Sequence, residues 1–286
     1  MKAPRSADLR FEAAADAIVR GYAQKLKRLL GAHPELVHAR SAREHGATLL
    51  HYVSANGVED ERQRTPKNIV EITTILLDAG ADIEATANVY GGGCRVLDLT
   101  ATSVHPERAG VQEAMLQTLL DHGADINAGP IVNGSLGNNR PKAAAFLAAH
   151  GARVDFAGAA GLGDLKTVRT LIARATRKKL HEGFLYACRY GHDRVVEFLF
   201  RKGANIKARD RNRQTGLHWA VIGGHLDTVK FLLRHKAPLE RKNIYGGTVV
   251  GQALWSQAHG GDPKVYRAIL KALAAAGARI RSREQP

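Results

Sequence analysis

Two cysteines, Cys94 and Cys188, in 286 residues are too few for a disulfide framework and point to a reducing compartment. No run approaches the roughly 18 to 20 apolar residues of a membrane-spanning helix, so no membrane partner is expected. The start, Met1-Lys2-Ala3-Pro4-Arg5-Ser6-Ala7-Asp8, has no apolar stretch of the kind a secretory signal needs. The chain reads as soluble and cytoplasmic. Aromatic residues make up only 6%, which argues against an aromatic-rich β-sandwich and suits tightly apposed helices. Neither His-Glu-x-x-His nor Cys-x-x-Cys spacing occurs, so neither a metal nor a cofactor is expected.

Acidic residues are scarce in one half. Residues 157–286 carry 25 Lys+Arg against 9 Asp+Glu, a net of +16, whereas residues 1–156 carry 17 against 18, a net of −1. The whole excess of +15 therefore lies in the C-terminal part. Such asymmetry points either to an acidic partner or to a nucleic acid, or to a solvated surface that keeps the chain in solution.

What is abundant is repetition. Leu76-Leu77-Asp78-Ala79-Gly80-Ala81-Asp82-Ile83 returns as Leu119-Leu120-Asp121-His122-Gly123-Ala124-Asp125-Ile126 and as Leu199-Phe200-Arg201-Lys202-Gly203-Ala204-Asn205-Ile206. A paired apolar ending marks a helix face, and the Gly supplies a left-handed C-cap. A second phrase precedes it, best seen in Thr215-Gly216-Leu217-His218-Trp219-Ala220, with Thr48-Leu49-Leu50-His51-Tyr52-Val53 as another copy. Gly-His pairs at Gly191-His192 and Gly224-His225 break one helix from the next.

Turn, helix, Gly-His break, second helix and Gly-Ala stop together resemble the ankyrin repeat. The resemblance is strongest over 184–240 and clear over 46–85 and 93–128. The Ala- and Arg-rich composition hints at a bacterial type. The resemblance implies an all-α solenoid of stacked helix-turn-helix pairs with short hairpin-like turns, in which each unit is stabilised by its neighbours. Eight units are expected, near 7–40, 41–85, 86–128, 129–156, 157–180, 181–208, 209–241 and 242–281, forming a single domain over 7–281. Residues 1–6 and 282–286 are expected to be tails.

It further implies a non-enzymatic protein-interaction module, a scaffold whose partner, another protein, lies on the concave face; the charge of the C-terminal half suggests that this partner is acidic. The family's contact positions, carried over one residue at a time, fall on the first helices at Asn56, Thr102, Ser103, Asn138, Arg189, Tyr190, Ile222 and Trp255. At the turn tips they fall on Lys178, Lys179, Arg211, Asn212, Gln214 and Tyr245. His51 and His218, at the repeat's histidine position, are expected to be structural. Tyr52, Tyr186 and Trp219 are expected to point between the helix layers.

Two alternatives stand beside this reading. The basic half could bind nucleic acid or another polyanion, although no helix-turn-helix, zinc-finger or RNA-binding signature accompanies it. Cys94 with His105 could form a nucleophile and base, although no local signature supports an enzyme and Gly91–Gly93 fits a hairpin turn. Extra residues near 58–68, 104–111 and 257–264 fit either binding loops or tolerated insertions.

Overall fold

A computed structural model describes residues 6–279. Of the expected tails 1–6 and 282–286, all but Ser6 lie outside the described residues, as does the end of the last expected unit; Ser6 opens a helix. The chain divides into two compact units, one ending at Arg153 and the other beginning at Val154. The fold is mostly helical.

In the first unit, α1 (Ser6–Val19) pairs with α2 (Ala23–Ala32). A 3₁₀ helix (Leu49–Ser54) takes the place of a first helix in the next pair and packs on α3 (Ile69–Asp78). A two-stranded antiparallel hairpin, β1 (Thr86–Ala87) with β2 (Cys94–Arg95), leads into α4 (Val96–Thr102). The short α5 (Val104–Arg108) intervenes before α6 (Gln112–Asp121). The unit closes with α7 (Ile131–Gly137) and α8 (Pro141–Ala149). First helices pack on first helices and second helices on second helices, giving two layers.

The second unit repeats the scheme four times among the described residues: α9 (Phe156–Gly161) with α10 (Leu165–Leu171), α11 (Arg177–Arg189) with α12 (Asp193–Arg201), α13 (Gly216–Ile222) with α14 (Leu226–Arg234), and α15 (Val249–Ala258) with α16 (Pro263–Ala275). Its core runs continuously through Phe156, Phe184, Leu199, Leu217, Val229, Ile269 and Leu273. The α11 helix crosses position 180, where a repeat boundary was expected. The reason is local: the hydroxyl of Thr176 accepts from the Lys179 backbone N–H at 3.3 Å and starts the helix at Arg177.

The repeated phrases translate directly into geometry. Glycines of the Gly-Ala ending have left-handed φ, +91° at Gly80 and +90° at Gly203, a conformation that side chains disfavour. A different glycine sets layer spacing. A Cβ on Gly216 would meet Cys188 Sγ at 2.9 Å and Phe184 Cε1 at 3.2 Å, so α13 approaches α11 only because the side chain is missing.

The Thr-x-x-His phrase is a capping box with histidine in the role usually taken by glutamate. The Thr48 backbone N–H donates to His51 Nδ1 at 3.2 Å, and the Thr48 hydroxyl lies 2.8 Å from the same nitrogen. Because Nδ1 accepts, the proton sits on Nε2, which donates to the Cys94 carbonyl at 3.3 Å. Thr215 and His218 repeat this, with Nε2 reaching the Gly247 carbonyl at 3.4 Å. Each histidine thus caps its own helix and ties it to the hairpin of the following pair. Burial depresses the pKa of both rings, that of His51 to about 4.

Candidate functional site

The two hairpin tips before α13 and α15 are built by the same device. At the first, Asp210 Oδ1 accepts the backbone N–H groups of Asn212 (2.8 Å) and Gln214 (2.9 Å). At the second, Asn243 Oδ1 accepts those of Tyr245 (3.0 Å) and Gly247 (3.0 Å). Asp and Asn side chains that capture backbone donors in this way hold a turn rigidly. The tips are joined by a backbone hydrogen bond from Ile244 N–H to the Asn212 carbonyl at 3.0 Å.

Beside the first tip lies a stacked ladder. Trp219 Nε1 donates to Asp210 Oδ2 at 2.9 Å. The Arg189 guanidinium lies over the Trp219 ring at 4.2 Å and 5.6 Å from the Tyr190 ring. Guanidinium groups over indole faces are held by the ring quadrupole. Trp255, on α15, is 58% exposed and stacks on His259 at 4.2 Å. Tyr245, at the second tip, is 80% exposed.

The expected contact residues divide. Arg211, Tyr245, Trp255, Lys178 and Asn138 are exposed, and Arg189, Tyr190, Asn212 and Ile222 are half-buried. In the first unit, Asn56 donates to the Leu99 carbonyl (3.0 Å) and to Thr102 Oγ1 (3.1 Å), and its own oxygen accepts from exposed Tyr90 at 2.7 Å. Asn56 and Thr102 are therefore mutually engaged.

Four positions need correcting. Ser103 is not on the surface: it is 2% exposed, its hydroxyl accepts from the His105 N–H as the cap of α5 and donates to the Ala55 carbonyl. Gln214 is 6% exposed because its backbone closes the Asp210 turn in both directions. Lys178 and Lys179 occupy no turn tip but the first turn of α11, and Lys179 Nζ is paired with Asp155 Oδ2 at 2.7 Å.

Sequence reasoning missed several features. Tyr52 is fully buried as expected, and Trp219 is partly buried against the core while its indole N–H reaches the first tip. Ile244 is 49% exposed on the second tip. Four histidines, His122, His150, His235 and His259, share one role at helix ends, each donating from Nδ1 to the carbonyl four residues earlier. The shared signal is a His immediately before or just short of the stop.

The insertion near 58–68 folds back on α1. Arg62 pairs with Glu12 (2.6 Å), Asp16 (2.8 Å) and Glu59 (3.4 Å). The Cys94 thiol donates to the Val89 carbonyl at 3.2 Å, and burial followed by the Asp98 charge raises its pKa. A thiol held protonated is a poor nucleophile, so the Cys94–His105 pairing gains no support. Among the described residues no group of three or more His, Cys, Asp or Glu could hold a metal ion, and no helix is long and apolar enough to cross a membrane.

Residues 156–243 and 184–283 match the family described as Ankyrin repeats (3 copies). Residues 156–283 consist of ankyrin repeats. The fold class is the all-α ankyrin solenoid, and ankyrin repeats are in general protein-interaction modules, typically without catalytic activity. The chain is 27% identical over 241 residues to the human transient receptor potential cation channel subfamily A member 1, a match covering 71% of this chain. The chain spans only 20% of that relative's length.

Proposed function

We propose that this protein is a non-enzymatic scaffold that recognises an acidic protein through the concave face of its repeats, chiefly in the second unit. The observation that carries the reading is Trp255, 58% exposed on a first helix, in the same layer as the helix that bears the Arg189–Tyr190 pair. Large aromatics and arginine are the residue types that dominate interface energetics. The net +16 over 157–286 favours a partner of opposite charge, with electrostatics raising the association rate more than the final affinity. Inert, protonated thiols fit a cytoplasmic setting.

The test is capture of a partner with the intact protein, followed by affinity measurements on Arg211→Ala, Tyr190→Ala and Trp255→Ala. Each is expected to weaken binding about tenfold, the scale of an interface hot spot, while the helical circular dichroism stays unchanged. Normal binding by all three would refute the assignment. The same basic half favours nucleic acid as the second reading. That reading requires retention on duplex DNA at physiological salt and a steep fall in affinity as salt rises.

A further inference from the structure

The two joined tips carry a cluster of exposed positive charge. Arg209, Arg211, Arg213, Arg241 and Lys242 are all exposed there. Among the described residues, the side chains of Arg211, Arg213, Arg241 and Lys242 have no hydrogen-bond or ion-pair partner. The two neighbouring carboxylates are engaged: Asp210 holds its own turn and the Trp219 indole, and Glu240 accepts the Arg279 backbone N–H at 3.2 Å. Like charges gathered on rigid turns repel one another, and an anion relieves that repulsion.

The tips also carry apolar surface. Ile244 and Tyr245 are held outward by the Asn243 turn and by the bond to Asn212. From the first tip a chain of contacts leads through Asp210 and Trp219 to Arg189 and Tyr190. The strip is therefore continuous, with a fixed guanidinium at one end and basic, apolar tips at the other.

We propose that this strip docks an extended acidic segment of another protein, whose carboxylates meet Arg211, Arg241 and Lys242 and whose apolar side chain packs on Ile244 and Tyr245. The proposal rests on the protein-recognition reading above and names the partner's chemistry. Arg211 and Arg241 suit a carboxylate because a guanidinium can donate to two oxygens at once. Ile244 separates this from a phosphate-tracking surface: a sugar-phosphate backbone offers it nothing to pack against, whereas a peptide side chain does.

Fluorescence anisotropy on the full chain tests this with a labelled peptide of about a dozen residues, rich in Glu and Asp around a central Leu-Phe pair. The comparison probes are its Gln/Asn counterpart, duplex DNA and phosphatidylserine vesicles. The acidic peptide is expected to bind at least ~tenfold more tightly than the Gln/Asn peptide, and Arg211→Glu with Lys242→Glu to lose ~tenfold or more. Ile244→Ser with Tyr245→Ser should lose several-fold, and Arg211→Lys should recover only part of what Arg211→Gln loses, because an ammonium cannot pair in two-pronged fashion. Unchanged circular dichroism is expected throughout, since the tip side chains are exposed.

Equal binding of the Gln/Asn peptide, binding of DNA or vesicles as tight as that of the acidic peptide, or indifference to the charge reversal would each overturn the proposal. A captured protein that depends on Trp255 but ignores Arg211→Glu with Lys242→Glu would overturn it too, and would leave the broader recognition reading standing. A captured protein indifferent to Trp255, Tyr190 and the tips alike would remove both.

Discussion

Lowering the pH should unfold the first unit by protonating His51. The ring is 1% exposed, its Nδ1 is occupied by the Thr48 N–H and hydroxyl, and its Nε2 faces the Cys94 carbonyl. A second proton on Nδ1 would point at a donor, in a site buried from solvent. Burial is the main cause of the depressed pKa, about 4 against the ordinary 6.5, and the nearby Arg40 charge acts in the same direction. Since the folded value lies below the unfolded one, the unfolded chain binds the extra proton first. Stability is therefore complete above the ordinary value of 6.5 and is lost as pH falls from there towards 4. At about 1.4 kcal/mol per pH unit, this site should cost about 2 kcal/mol between neutrality and a pH near 5, and about 3 kcal/mol in full. His218 and His192, also depressed by burial, act in the same direction. Urea unfolding followed by circular dichroism across this pH range, for the wild type and His51→Gln, isolates the one site. The Gln variant should be less stable at neutral pH but should fall more gently with acid, by about 2 kcal/mol over the same interval. Identical pH slopes for the two proteins would show that His51 does not titrate on unfolding.

Gly216→Val should destabilise the second unit by about 1–3 kcal/mol, because the new side chain drives into Cys188 and Phe184 in a packed core; a melt unchanged from wild type would refute the close approach. Arg62→Met should cost about 2 kcal/mol, less than the 3–5 of a wholly buried pair, since the Glu12 and Asp16 side chains are 29% and 44% exposed. Chemical unfolding gives that value directly, and a neutral or stabilising change would contradict it. Thiol labelling of the folded protein should modify at most Cys94, and slowly, because Cys188 is fully buried with a raised pKa; fast labelling of two thiols would count against the packing of α11.

The helix pairs were legible because their punctuation is local backbone chemistry rather than packing. Gly80, Gly123 and Gly203 adopt left-handed φ, and the Thr-x-x-His phrase fixes a cap through hydrogen bonds within four residues. What escaped the sequence depends on partners far along the chain. Ser103 is buried against Ala55, 48 residues away. Trp219 packs partly against the core, and its repeat position does not show the bond to Asp210 or the Arg189 guanidinium over its ring. Lys178 and Lys179 stand in the first turn of α11, which begins after Thr176, and not on a tip. The basic cluster at the tips was visible only as net charge. That Arg211 and Lys242 stand on adjoining turns follows from the bond between Ile244 and Asn212.

Oxidative footprinting of the second unit with and without a bound protein partner tests the recognition surface most directly. Trp255, Tyr245 and Tyr190 should lose reactivity on binding, while Phe198 on α12 and Phe231 on α14, in the other helix layer, should keep theirs. Protection of Phe198 and Phe231 with Trp255 and Tyr245 still reactive would place the partner on the opposite layer and contradict the assignment.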